Sequence, residues 1–279
     1  MSSAVPLRHH AHVDAARRPV RIDRAQTHGS DLAGEPMDNL PSFIDAYVAV
    51  WNEPEAETRR RRIAAVWAPD GTTCYRLLDA HGYGEIESRV AGSWDRWLRD
   101  GKFVFRAVNA ICHHRAVKLN FAMLAADSGK VEANGLAYLL IDQDNRIVRD
   151  YQFNPSVHDA PDLAARYLAC RNETDGACRR SLIGELWAEN GALIGEDGEV
   201  RGRDELASAL AAMQQSQLAK NIAVSAADRS QHHHNVAHIR WQVAPRDGGL
   251  PIAAASALLI FNDEGRIDAA YEFNEAKAA

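Results

Sequence analysis

The 279-residue chain has only four cysteines, Cys74, Cys112, Cys170 and Cys178, and no two of them form a C-x-x-C pair. That spacing excludes both a disulfide framework and a zinc knuckle, and reduced thiols in the cytoplasm are the expectation. Long apolar runs are also missing. Nothing reaches the roughly 18 uninterrupted apolar residues of a membrane helix, and the longest run, residues 252–261, contains Ser256 and reads as a buried strand. Positive charge is in the minority: 32 Lys and Arg against 38 Asp and Glu leave a formal net charge of −6. Nucleic acid is therefore not the expected partner, because phosphate binding wants a basic surface. The one basic run, Arg59, Arg60, Arg61 and Arg62, falls where a helix is expected. Its side chains would point in successive directions, as a solvated helix face or an anion contact. Arg8, Arg17 and Arg18 are not followed by an apolar segment, so no secretory signal is expected. Residues 1–38 show no hydrophobic period and are expected to form a disordered tail, with His9, His10 and His12 lacking anything to complete a metal site.

What the chain does have is a copy of itself. Shifting it by 120 residues superposes Tyr47 on Tyr167, Asn52 on Asn172, Arg59 on Arg179, Trp67 on Trp187 and Gly71 on Gly191. The same shift superposes His113-His114 on His233-His234, Arg146-Ile147 on Arg266-Ile267, and Tyr151, Phe153 and Asn154 on Tyr271, Phe273 and Asn274. A period this long is domain-sized rather than that of a solenoid. The expected organisation is therefore two copies, residues 39–158 and 159–279.

Each copy reads alike. A first helix opens near Pro41 or Pro161 and carries the stripe Phe43, Ile44, Tyr47, Val48 and Trp51. A second helix, from about residue 55 to 67, stops at the turn signal Pro69-Asp70-Gly71. A third is expected over about 85–98 and 203–218. The rest is strands, over 103–108, 116–124, 131–141 and 146–153 in the first copy, with hairpin turns at 142–145 and 262–265. Three helices followed by a run of strands gives the α+β class: two tandem cone-shaped α+β barrels, each with three helices packed on a curved antiparallel sheet.

The stretches Tyr47-Val-Ala-Val-Trp-Asn-Glu, Val66-Trp-Ala-Pro-Asp-Gly, His113-His114 and Asp144-Asn-Arg-Ile-Val-Arg-Asp-Tyr-Gln-Phe153, with their partners in the second copy, resemble the nuclear transport factor 2-like superfamily. That superfamily includes SnoaL-like polyketide cyclases, ketosteroid isomerase and limonene epoxide hydrolase, so it fixes a fold and leaves the reaction open. The resemblance implies a pocket between helices and sheet for a small, mostly apolar molecule. It also implies sheet-to-sheet pairing, so that a fused tandem makes an intrachain pseudo-dimer, with a homodimer of chains compatible with it. Neither cofactor nor metal is implied.

Carried over residue by residue, the last-strand Asp of limonene epoxide hydrolase falls on Asp150, with Ala270 in the second copy, and its Arg-x-Asp falls on Asn120 and Ala122 and on Arg240 and Gln242. The acid of ketosteroid isomerase falls on Ala137 and Ala257, which argues against a direct analogue. Asp150 is the candidate base, with Asn120 orienting water or substrate; the alternative is a rim carboxylate paired with Arg149 or Arg146. Arg240 and Gln242 read as the polar pair of a second pocket, or as a salt bridge and its neighbour. His113 titrates near neutrality and is able to act as acid or base if it faces the pocket; otherwise it caps a loop. Three adjacent histidines, His232, His233 and His234, cannot easily converge on a metal because neighbours on a strand point to opposite faces. Tyr75, Tyr83, Trp94, Trp97 and Tyr138 have no aromatic counterparts in the second copy, so the first copy reads as the richer pocket. Two functions follow: a cofactor-independent cyclase, dehydratase, isomerase or epoxide hydrolase, or a non-catalytic binding or assembly module.

Overall fold

Each helix pair of the chain is joined by an acidic cap. Glu55 accepts hydrogen bonds from the backbone N–H of Glu57 and Thr58, and Asp175 accepts from Ala177 and Cys178, so the second helix of each copy starts with two of its orphan donors satisfied by one side chain. The computed structural model describes residues 37, 39–154, 163–227 and 230–275; the tail expected over residues 1–38, apart from residue 37, and Pro161 lie outside them. All described residues lie in one compact unit.

The first copy runs α1 (Leu40–Asn52), α2 (Ala56–Val66), β1 (Trp67–Tyr75), β2 (Leu78–His81), α3 (Gly82–Trp97), β3 (Phe103–His113), β4 (Ala116–Ala125), β5 (Val131–Ile141) and β6 (Ile147–Phe153). The second runs α4 (Leu163–Asn172), α5 (Gly176–Leu186), β7 (Trp187–Gly195), β8 (Gly198–Arg201), α6 (Arg203–Ala219), β9 (Ile222–Ala226), β10 (Gln231–His233), β11 (Val236–Pro245), β12 (Ala253–Phe261) and β13 (Ile267–Glu275). The strand orders are β2-β1-β6-β5-β4-β3 and β10-β11-β12-β13-β7-β8, with β9 also pairing β11. The expected α+β class, with three helices packed on each sheet, is borne out. In detail the largely antiparallel sheets are mixed, because β1 pairs β6 and β7 pairs β13 in parallel, and neither sheet closes.

A correction concerns Gly71. Instead of a turn after the second helix, the chain enters β1 directly and passes through Pro69 and Gly71, with a shift of register between Trp67 and Thr72. There the two backbones crowd: a Cβ on Gly71 would stand 2.7 Å from the Ile147 carbonyl oxygen, and one on Gly191 would stand 2.8 Å from that of Ile267. The repeated glycine is therefore a close-approach residue. Gly71→Ala is expected to cost about 1–3 kcal/mol, read as a lower urea midpoint. Gly92→Ala, whose added methyl meets open space on helix α3, should be neutral or mildly stabilising.

Other repeated residues are clamps. Asn52 both donates to the Phe105 carbonyl (2.8 Å) and accepts from its N–H (2.9 Å), and Asn172 donates to the Val224 carbonyl. Arg59 is not a solvated face: it is buried, donates to the Glu53 carbonyl at 2.9 Å and pairs with Glu87 on α3. Arg179 makes the matching bond to the Glu173 carbonyl. The remaining arginines of the run pair with Glu57, Thr58 and Glu53.

The central part of each sheet is covered on both faces. Leu119, Ala137, Leu139 and Ile147 pack toward the helices of the first copy. Ala116, Leu136, Tyr138, Tyr151 and Phe153 point the other way and meet Val236, Leu258, Ile260 and Phe273 of the second sheet. The two sheets therefore pack face to face. This double burial explains the apolar run at 252–261: β12 sends Ala255, Ala257 and Leu259 into its own core and Leu258 and Ile260 between the sheets. Polar contacts cross the same seam. Lys118 donates to Ser256 (2.7 Å) and pairs with Glu275, which Arg240 of the same copy also holds at 2.8 Å, and the Tyr138 hydroxyl meets His238 Nδ1 at 2.9 Å.

Candidate functional site

Strand β6 alternates, so residues 150 and 152 face the helices while Tyr151 and Phe153 face the other sheet. Asp150, opposite Thr73 on β1 and Leu139 on β5, is 0% exposed, which excludes the rim carboxylate. Its Oδ2 accepts from the Tyr47 hydroxyl (3.1 Å), Gln152 Nε2 (3.0 Å) and the Thr73 hydroxyl (3.4 Å). Its Oδ1 is buried with no hydrogen-bond partner. Gln152 also donates to the Tyr47 oxygen at 3.1 Å and accepts from Arg89 on α3 at 2.6 Å. The Arg89 guanidinium stands over the rings of Trp51 (5.4 Å) and Tyr75 (5.2 Å). The result is a buried cluster from α1, α3, β1 and β6, with Tyr75 and Arg89 as its half-buried members.

Burial pushes the Asp150 carboxyl up to about 7, even though the Tyr47 hydroxyl, the Arg89 charge, Gln152 and Thr73 all favour the ionised form. The Tyr47 phenol is driven well above its ordinary value by burial and by the adjacent carboxylate, so it serves as a hydrogen-bond donor and not as a base. A carboxyl that titrates near neutrality with one unpartnered oxygen is a group able to take and return a proton.

The second copy builds a different cluster on the same scaffold. Ala270 replaces Asp150, and the acid moves two residues on to Glu272, where Gln152 stands in the first copy. Glu272 accepts from the Tyr167 hydroxyl at 2.5 Å and forms a buried ion pair with Arg171, which occupies the place of Trp51. The Arg171 guanidinium lies over Trp241 at 5.3 Å.

The other residues expected at a site fall elsewhere. Asn120 with Ala122, and Arg240 with Gln242, do share a face of their strands, but it is the face away from the helices, because Leu119 and Phe121, and Ile239 and Trp241, take the inner one. Asn120 donates to Asn109 (2.6 Å), Arg240 pairs with Glu275, and Gln242 donates to Ser225 (3.3 Å). Tyr138 is buried between the sheets against Phe153, Phe273 and His238, not in a pocket. Tyr75 does join the Asp150 cluster, whereas Trp94 packs under Arg99 at 5.4 Å. His113 faces the second sheet, with Nε2 2.7 Å from the Glu272 carbonyl oxygen and its ring 4.5 Å from that of Phe273. Burial pulls it below the ordinary histidine value.

Arg89, Gln152, Thr73 and Glu272 join these clusters without having stood out in the sequence. Gln152 carried a signal, since it shares a strand face with Asp150 two residues away; Arg89 and Thr73 carried none. Among the described residues no three His, Cys, Asp or Glu come together to hold a metal, and no helix is long and apolar enough to cross a membrane. Two surface grooves, one lined by Asp45, Asn52, Glu53, Arg62 and Arg106 and the other by Glu199, Arg201, Asp204 and Glu205, border neither acid cluster.

No family model and no curated protein matches the chain. Solved structures similar to it are SnoaL-like and NTF2-like proteins, and each covers about 40% of the chain. One is a candidate isomerase of the SnoaL-like family from Agrobacterium tumefaciens: 29% identity, 40% of this chain and 94% of that one, TM-score 0.38. Another is a candidate polyketide cyclase from Sinorhizobium meliloti: 12% identity, 41% and 95% coverage, TM-score 0.33. A third, from Catenulispora acidiphila, has a ketosteroid isomerase-like fold and was solved with trimethylamine: 15% identity, 41% and 86% coverage, TM-score 0.31.

Proposed function

We propose that the first copy is a cofactor-independent acid–base enzyme acting on a small, mostly apolar molecule through Asp150. The observation that carries this reading is the buried carboxyl whose Oδ2 is held by three donors while Oδ1 has no partner. Such a group is oriented in advance, and its free oxygen is the atom that receives a proton from water or from an acidic carbon. Tyr75 and Arg89 set the side from which a ligand approaches. The Arg89 guanidinium supplies positive charge for an oxyanion that develops on the substrate. Apolar epoxides, opened by activated water, and enolisable ketones, rearranged through proton transfer, are the substrate classes this set serves.

The experiment is turnover of a panel of apolar cyclic epoxides and enolisable cyclic ketones by the full chain across pH 5 to 9. For a base that must be ionised, kcat/KM rises with pH through a midpoint near 7 and then levels. Turnover that is flat between pH 5.5 and 8.5, or no turnover of either class, contradicts the proposal.

For the second copy, Ala270 and the engaged Arg171–Glu272 pair favour the other reading, an assembly half that buries the outer face of the first sheet. We place the boundary between the copies at 158/159, outside the described residues.

A further inference from the structure

The repeated histidine pair takes no direct part in the proposed chemistry at Asp150. His113 and His233, related by the 120-residue offset, make reciprocal contacts across the seam between the sheets. His113 Nε2 meets the Glu272 carbonyl oxygen at 2.7 Å, and His233 Nε2 meets the Gln152 carbonyl oxygen at 3.0 Å. Residues 152 and 272 are themselves related by the offset. Each ring also lies on the next aromatic of the opposite strand, His113 on Phe273 at 4.5 Å and His233 on Phe153 at 4.4 Å. A carbonyl oxygen only accepts, so in each contact the Nε2 must carry the proton.

The far end of the His233 contact is also fixed in the first copy. His233 Nδ1 is 2.9 Å from His234 Nδ1, and His234 Nε2 is 2.9 Å from the Asp79 carboxylate on β2. A chain of hydrogen bonds thus leaves the first copy at Asp79, passes through two histidines of the second, and returns to the backbone of Gln152. The side chain of Gln152 is the one that donates to Asp150 Oδ2 and accepts from Arg89. The matching chain in the second copy is not closed the same way: Glu199, at the place of Asp79, pairs with Arg201.

We infer that His233 is a positioning residue for the Asp150 site, supplied by the second copy: its N–H fixes the backbone of Gln152 and thereby aims the Gln152 amide at Asp150. The inference rests on the functional reading of Asp150 given above, but its test reads the carboxyl itself and needs no substrate. His233→Phe keeps the ring against Phe153 and removes the donor; His233→Gln restores a donor; His113→Phe makes the same change on the reciprocal contact, which ends at Glu272. In the full chain, labelled at the aspartate carboxyl carbons and followed by NMR, His233→Phe should move the Asp150 midpoint upward by about half a pH unit or more, as expected when a hydrogen bond to the ionised form is loosened. His233→Gln should bring it back, and His113→Phe should leave it in place. An unmoved midpoint in His233→Phe overturns the inference. So does an equal shift in His113→Phe, which would mean that loosening the seam anywhere has the same effect. If Asp150→Asn retained full turnover while His233→Phe still shifted the carboxyl, the enzymatic reading would fall and the positioning contact would stand.

Discussion

Asp150→Asn is expected to lower kcat by about 10²- to 10⁴-fold on any substrate the first copy turns over, the range that a positioned general base contributes. KM should change little, because the substitution preserves shape: the Asn carbonyl oxygen can accept from Tyr47, Gln152 and Thr73 where Oδ2 does now. The same variant should be more stable than the parent above pH 7. The sign follows from linkage. Burial raises the carboxyl to about 7 in the folded chain, against about 4 when unfolded. Between those values the folded state holds a proton that the unfolded state has released, so folding is favoured at low pH and loses that advantage as pH rises through 7. The difference amounts to roughly 4 kcal/mol as an upper figure. Urea midpoints of the parent should therefore fall from pH 4.5 to 8, and those of Asp150→Asn should fall less. Equal slopes would show that the carboxyl is ordinary.

Glu272→Gln is expected to destabilise the chain by about 3–5 kcal/mol, because it leaves the buried Arg171 guanidinium without its counter-charge. Both side chains are largely shielded, with 10% and 14% of their surface exposed, so water cannot take the place of the carboxylate. The first copy supplies its own control. It carries Trp51 and Gln152 at these two places, so the double substitution Arg171→Trp with Glu272→Gln copies a combination already packed on this scaffold. It should recover most of the loss, since replacing a whole buried pair costs far less than removing one partner. Chemical denaturation of the two single variants and the double variant decides the matter. A Glu272→Gln variant with the parent's midpoint would mean that the ion pair contributes nothing.

The fold was legible because it is written twice. Trp67 and Trp187, Gly71 and Gly191, and Asn52 and Asn172 recur at one offset because each pair does the same local job in both copies. The tryptophans fill the cores, the glycines let two backbones approach, and the asparagines clamp helix to strand. The site was legible only in part. Asp150 could be placed because the resemblance implies an acid on the last strand of the copy, and that strand is β6. The direction of Asn120 and Arg240 could not, because alternation tells which residues share a face but not which face is which. Amphipathic strands settle that question by leaving one side polar; here the central part of each sheet is buried on both sides, so hydrophobicity has little to choose between them there. Lys118, Tyr138 and His113 came out between the sheets for the same reason. Arg89 and Thr73 reach the site through tertiary packing of α3 and β1, with no spacing that ties them to residue 150.

The proposed chemistry turns on one group. A carbon-13 titration of the Asp150 carboxyl in the wild-type chain, assigned by its absence in Asp150→Asn, tests it most directly. A midpoint near 7 is the result expected of a carboxyl wholly withdrawn from water with one oxygen unpartnered. A midpoint at the ordinary carboxylate value, about 4, would contradict both the proposed base and the dry site that tunes it.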